Sequence, residues 1–131
     1  MTPKDGSTVY EGELATFWID EEGMLCAVSK MARRTLEKQK ENYELIRKIT
    51  DNRRVCLLAD NTLTYEQDDA TRQYMANEIP KLFKAMAVIS QTVFGRAVSD
   101  TFLYYQGNPV PIKTFEDETK ARDWLRQYLV P

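Results

Sequence analysis

Arg54-Val55-Cys56-Leu57-Leu58-Ala59-Asp60 decides the fold. Between its charged ends every residue is apolar. The run is too short for a helix, and it lacks the polar alternation of a half-exposed strand. A continuous apolar run of this length reads as a strand covered on both faces, the environment of a parallel sheet. Ala85-Met86-Ala87-Val88-Ile89-Ser90 repeats the pattern. The intervening residues carry helical signals. Thr64-Tyr65-Glu66-Gln67 has the spacing of a capping box, which predicts a helix over about 65–78. Pro80 then reads as the opening of a further helical turn. Two buried strands joined by a helix imply a parallel crossover unit.

The same logic extends outward. Residues 93–106 place Phe94, Ala97, Val98, Thr101, Phe102 and Tyr105 on one helical face, and Gly107 with Asn108-Pro109 ends that helix. Val110 to Phe115 reads as a last strand, irregular at its prolines. Residues 117–129 form a final helix burying Ala121, Trp124, Leu125 and Tyr128. Upstream, Ser29 caps a helix over 30–50 with Ala32, Leu36, Tyr43, Ile46 and Ile49 on its inner face. Before it, Ala15, Phe17 and Ile19 alternate with Thr16 and Trp18. Asp20-Glu21-Glu22-Gly23 turns the chain, and Met24 to Val28 returns it as a β-hairpin. The predicted order is β-β-α-β-α-β-α-β-α. It is an α/β domain with about five strands in a mainly parallel mixed sheet, one domain over 1–131 with 1–8 loose.

Composition bounds the chemistry. The chain has 131 residues, a formal net charge of −2 and no histidine. Without histidine, Ser-His and Cys-His nucleophile systems and His-ligated zinc are excluded. Two cysteines cannot build a Cys-only zinc site. Cys26 and Cys56 each lie in an apolar run and read as small buried hydrophobes. The five glycines form neither GxGxxG nor GxxxxGK[ST], the known phosphate-cradling patterns. No stretch approaches the ~20 apolar residues of a membrane span, and the N-terminus has no signal-peptide core. These features predict a cytoplasmic protein with no cofactor and no stable membrane insertion.

Leu58-Ala59-Asp60, Ala87-Val88-Ile89-Ser90, Phe94-Gly95-Arg96, Phe102, Pro111 to Phe115, and Ala121 with Trp124-Leu125 together resemble the STAS domains of the SpoIIAA-like superfamily. These are anti-sigma-factor-antagonist-like domains related in shape to SEC14 lipid-binding domains. The resemblance covers roughly residues 50–129 and points to an uncharacterised bacterial subfamily. It implies a SpoIIAA-like fold and a regulatory, protein-binding role without catalysis. Some members are switched by phosphorylation of a serine in an Asp-Ser-Ser-Gly motif. The equivalent segment here, residues 60–69, lacks that motif and offers only Thr62 and Thr64 as hydroxyls.

Open α/β sheets bind ligands beyond the carboxyl ends of their strands. That edge is predicted to carry Asp60, Asn61, Thr62, Thr64 and Asp69 after one strand. Ser90, Gln91, Thr92 and Arg96 follow the next. This polar set suits a small anion or the carboxylate of a protein partner. The alternative reading is structural, with Thr92 or Gln91 capping a helix and Arg96 paired to Asp60. Asp68 and Asp69 are adjacent on a helix, so they diverge and favour the helix dipole over paired acid–base work.

Lys30 to Arg54 holds nine basic and four acidic residues, interspersed as helix pairs. It lacks the aromatic platform of nucleic-acid binding. A small-ligand carrier, apolar or anionic, is the alternative function, with the aromatic helix 93–106 lining a pocket. That helix equally suits a homodimer contact. An enzyme using Asp60, Ser90 or Arg96 is the weakest reading, because no motif supports it.

Overall fold

In the computed structural model the described residues are 1–63, 67–92 and 110–129. Six strands form one sheet in sequential order. They are β1 (Tyr10–Glu11), β2 (Ala15–Ile19), β3 (Leu25–Ser29), β4 (Val55–Asp60), β5 (Phe83–Ile89) and β6 (Ile112–Phe115). The first three pair antiparallel, and β3 through β6 run parallel. Three helices are described: α1 (Leu36–Thr50), α2 (Asp69–Leu82) and α3 (Glu118–Arg126). The mixed, mainly parallel sheet agrees with the sequence reading. The additional strand is β1, a two-residue edge against Phe17 and Thr16.

The deciding stretch behaves as its composition demands. Successive residues of a strand point to opposite faces. Leu57 and Ala59 enter a core with Phe17, Leu25, Tyr43, Ile46 and Ile79, where α1 and α2 pack. Cys56 and Leu58 enter a second core with Trp18, Cys26, Ala85, Ala87, Ala121 and Leu125, where α3 packs. Two covered faces leave no polar position between Val55 and Ala59. The strand read from the alternation of Ala15, Phe17 and Ile19 with Thr16 and Trp18 is β2: Ala15 and Phe17 enter the first core, Trp18 enters the second, and Ile19 is exposed at the strand end.

Several boundaries differ from the sequence reading, each for a local reason. Ser29 does not cap α1. It remains in β3, paired with Ala15, and Thr35 caps the helix by accepting from the Lys38 N–H at 3.2 Å. Ala32 therefore precedes the helix, and the buried face of α1 is Gln39, Tyr43, Ile46 and Thr50. The cap of α2 is Asp68, which accepts from the Thr71 N–H at 2.8 Å, so Gln67 precedes the helix rather than completing a capping box. Thr64 lies outside the described residues. Pro80 opens no new turn. It sits inside α2, near enough to the end that its missing N–H removes one bond and the helix continues to Leu82. Helix α2 then passes directly into β5. The last strand starts at Ile112, and the preceding Pro111 carbonyl still accepts from the Met86 N–H at 2.9 Å. Helix α3 is capped by Asp117, which accepts from the Lys120 N–H at 2.8 Å. The predicted helix 93–106 lies outside the described residues.

Candidate functional site

Parallel pairing aligns Val28 with Asp60 and Asp60 with Ile89. Strands β3, β4 and β5 therefore end together, and the residues after them share one edge. Thr62 ties two of the loops: its Oγ1 accepts from the Gln91 N–H at 3.2 Å, and its carbonyl accepts from the Thr92 hydroxyl at 3.5 Å. The Asn61 N–H donates to the Ile89 carbonyl at 2.8 Å. Asp60 Oδ1 accepts from the Thr62 N–H at 2.9 Å, a local turn that fixes the loop after β4. Ser90 is fully buried. Its N–H donates to Phe115, and its hydroxyl donates to the Thr92 carbonyl at 3.5 Å.

Asp60, Asn61, Thr62, Ser90, Gln91 and Thr92 are thus brought together. Asp69 is not hydrogen-bonded to them among the described residues. It stands in the first turn of α2, largely exposed, paired with Arg72 at 2.5 Å. Thr64 and Arg96 lie outside the described residues, as does the expected Asp60–Arg96 pair.

Three residues of this edge escaped the sequence reading. Ser29 donates to Asn61 Oδ1 at 2.7 Å, bridging β3 to β4. Arg34 Nη2 donates to Ser29 Oγ at 2.9 Å. Arg34 Nη1 reaches Gln39 Oε1 at 3.4 Å. Gln39 is buried on the inner face of α1. Its place at i+3 from Leu36 and i−4 from Tyr43 was the available signal, because a polar residue on an apolar helical stripe marks a buried partner.

A separate cleft of about 300 Å³ lies beside the β2–β3 turn, walled by Trp18, Asp20, Glu22, Glu118 and Arg122. Arg122 Nη1 meets Asp20 Oδ2 at 2.6 Å and Glu22 Oε2 at 3.1 Å, and its Nε meets Glu118 Oε2 at 2.8 Å. Burial opposes the arginine's charge, but hydrogen bonds to Asp20 and Glu118 outweigh it and hold its pKa above the usual value. Cys26 Sγ lies 3.7 Å from Asp20 Oδ2. Burial, followed by the Asp20 charge, pushes its thiol up to about 12. Burial also raises the Cys56 thiol.

A thiolate is the reactive form of cysteine, so both thiols should be inert in the native protein. At pH 8, iodoacetamide is expected to leave Cys26 and Cys56 unmodified until denaturant is added, as read by intact mass. Rapid native alkylation of Cys26 would contradict its burial. Among the described residues, no group of acids and cysteines could hold a metal ion. No helix among them is long and apolar enough to cross a membrane.

The sheet order and the helices on its two faces define a mixed, mainly parallel α/β domain. A family model described as a domain of unknown function, DUF7793, matches residues 17–129. The chain belongs to that family. Among solved structures it is similar to an uncharacterised DUF3478-family protein with a SpoIIAA-like fold from Shewanella loihica PV-4. The two share 18% identity over 95% of this chain and 98% of that one, with a TM-score of 0.55. At that identity the likeness establishes the fold. No curated protein matches the chain.

Proposed function

We propose that the domain is a non-enzymatic regulatory module of STAS type that binds a protein partner through its carboxyl edge. The observation that carries this reading is the Thr62 bridge. By holding the loop after β4 to the loop after β5, it presents them as one preorganised surface. Preorganisation lowers the ordering cost of binding. Leu63, 52% exposed, stands beside the hydrogen-bonded polar residues and supplies apolar area to that surface. Apolar anchors within a polar rim are a usual composition for a contact patch.

Cross-linking of the tagged protein in its source cells tests the proposal. Leu63→Glu lies on the surface, and Asp69→Lys changes the exposed first turn of α2 that follows the same loop. Each is expected to remove at least one partner that the wild type captures, while Glu21→Lys, exposed on the β2–β3 turn, removes none. If both edge variants capture the same proteins as the wild type, the surface is wrong.

A further inference from the structure

Four arginines among the described residues are partly buried: Arg34, Arg47, Arg72 and Arg122. Three of them pair with carboxylates, namely Arg47 with Glu78, Arg72 with Asp69, and Arg122 with Asp20. Arg34 has no carboxylate partner among the described residues. Its hydrogen bonds go to neutral oxygens of Ser29 and Gln39, the second long at 3.4 Å. Its Nε is buried and makes no hydrogen bond. Guanidinium stays protonated in proteins, so this is a desolvated cation with unused donor capacity. Such a group costs stability unless an anion compensates it.

The neighbours of Arg34 decide what fits. The single Ser29 proton is given to Asn61 Oδ1, which fixes the Asn61 amide with its NH2 turned away from the serine. That NH2 has no partner among the described residues. Arg34 donates to Ser29 Oγ and Ser29 donates to Asn61 Oδ1, so the guanidinium and the amide oxygen stand on either side of one hydroxyl, with the amide NH2 on the far side of Asn61. Arg34 also precedes Thr35, the cap of α1, where the helix dipole favours negative charge. The unused groups here are donors.

We infer that the edge formed by the ends of β3 and β4 carries an oxyanion site, built on the free donors of Arg34 and Asn61 with Ser29 holding the two in place, that takes a carboxylate or a phosphate group. Bidentate geometry suits guanidinium to either. Met31, 54% exposed, and Leu63 follow Ser29 and Asn61 by two residues each and add exposed apolar side chains to the same loops. The inference goes beyond the partner-binding proposal and does not depend on it, since small probes test it directly.

The measurement is ¹⁵N NMR of the full chain, following the Arg34 Nε–Hε and Asn61 Nδ2 signals at matched ionic strength in chloride. Inorganic phosphate and acetyl-Leu-Glu-amide are the two probes. At least one is expected to shift both signals saturably. Phosphate alone would assign a free or esterified phosphate. The peptide alone would assign a carboxylate borne by a polypeptide, and response to both would assign a general oxyanion site.

Asn61→Asp places an internal carboxylate beside Arg34 while keeping the acceptor for Ser29. It is expected to raise the Tm and abolish the response. If neither probe shifts the Arg34 signal into the tens-of-millimolar range, or if Asn61→Asp responds as the wild type does, the site is overturned.

Discussion

Leu58→Ala is expected to lower the unfolding free energy by about 3–4 kcal/mol, near the middle of the range for a buried leucine. Leu58 has no exposed surface and lies in the middle of β4. The cost depends on how far the surroundings can collapse into the space left behind. Register places Leu58 between Cys26 on β3 and Ala87 on β5. Both neighbours are small and sit on rigid strands, so neither can reach across the void. Above it, α3 contributes Ala121 and Leu125, equally buried. Leu57→Ala provides the contrast. Its neighbours are Leu25 and Met86, and a methionine adapts to irregular gaps. Urea denaturation of the two variants should therefore place Leu58→Ala as the more destabilised, although both residues are leucine in one strand. An exposed control, Leu63→Ala, should stay within about 0.5 kcal/mol of the wild type. Equal losses at 57 and 58 would show that the two cores relax alike.

The contrast between the two leucines also marks what the sequence could reveal. The apolar run 55–59 required two covered faces, and the structure supplies them. Nothing in the run said which residue faces which helix, because that follows from pleat and register. The helices were legible by their periodicity, but their ends were not. Ser29 and Thr35 are both competent caps, and the choice fell to Thr35 only because β2 holds Ser29 in a ladder. Asp68 likewise stands where Thr64 was expected to serve.

At the candidate site, residues 60–62 and 90–92 were legible from the rule that ligands sit beyond strand ends. The Ser29–Arg34–Gln39 chain was not, since it depends on side chains from β3, a connecting loop and α1 meeting over Asn61. Residue by residue, Arg34 reads as one charge in a basic helix. Only the absence of a carboxylate around it, among the described residues, sets it apart from Arg47, Arg72 and Arg122.

Arg122→Met is the second large effect, expected at about 2–4 kcal/mol, because removing one partner leaves Asp20 poorly solvated and unpaired. Asp20 and Arg122 side chains are 13% and 19% exposed, so the pair is well shielded from water. Asp20 serves two structures at once. Its Oδ1 accepts from the N–H groups of Glu22 at 2.9 Å and Met24 at 3.0 Å, shaping the β2–β3 turn, while Oδ2 takes Arg122. Asp20→Asn keeps the turn acceptor and removes the charge, which makes it the right partner for a double-mutant cycle. The coupling energy is expected at about 1–3 kcal/mol. Costs that simply add would mean the bridge contributes nothing beyond its parts.

Acid supplies an independent check. Glu22 titrates below the usual carboxylate range, first because Arg126 donates to it and further through the Arg126 and Arg122 charges, with burial opposing. Glu78 is also lowered, by Lys81 first and then, against burial, by Arg47. A carboxylate with a depressed folded pKa contributes stability that is full above its unfolded value of about 4.3. That contribution is lost as pH falls through the folded value. Wild-type stability should therefore hold from neutral pH down to about 5 and decline below it. Arg126→Gln removes the largest cause of the Glu22 shift, so its acid decline should be shallower than that of the wild type, with a lower plateau at pH 7. A parallel, merely displaced curve would mean that Glu22 is not held by Arg126 in solution.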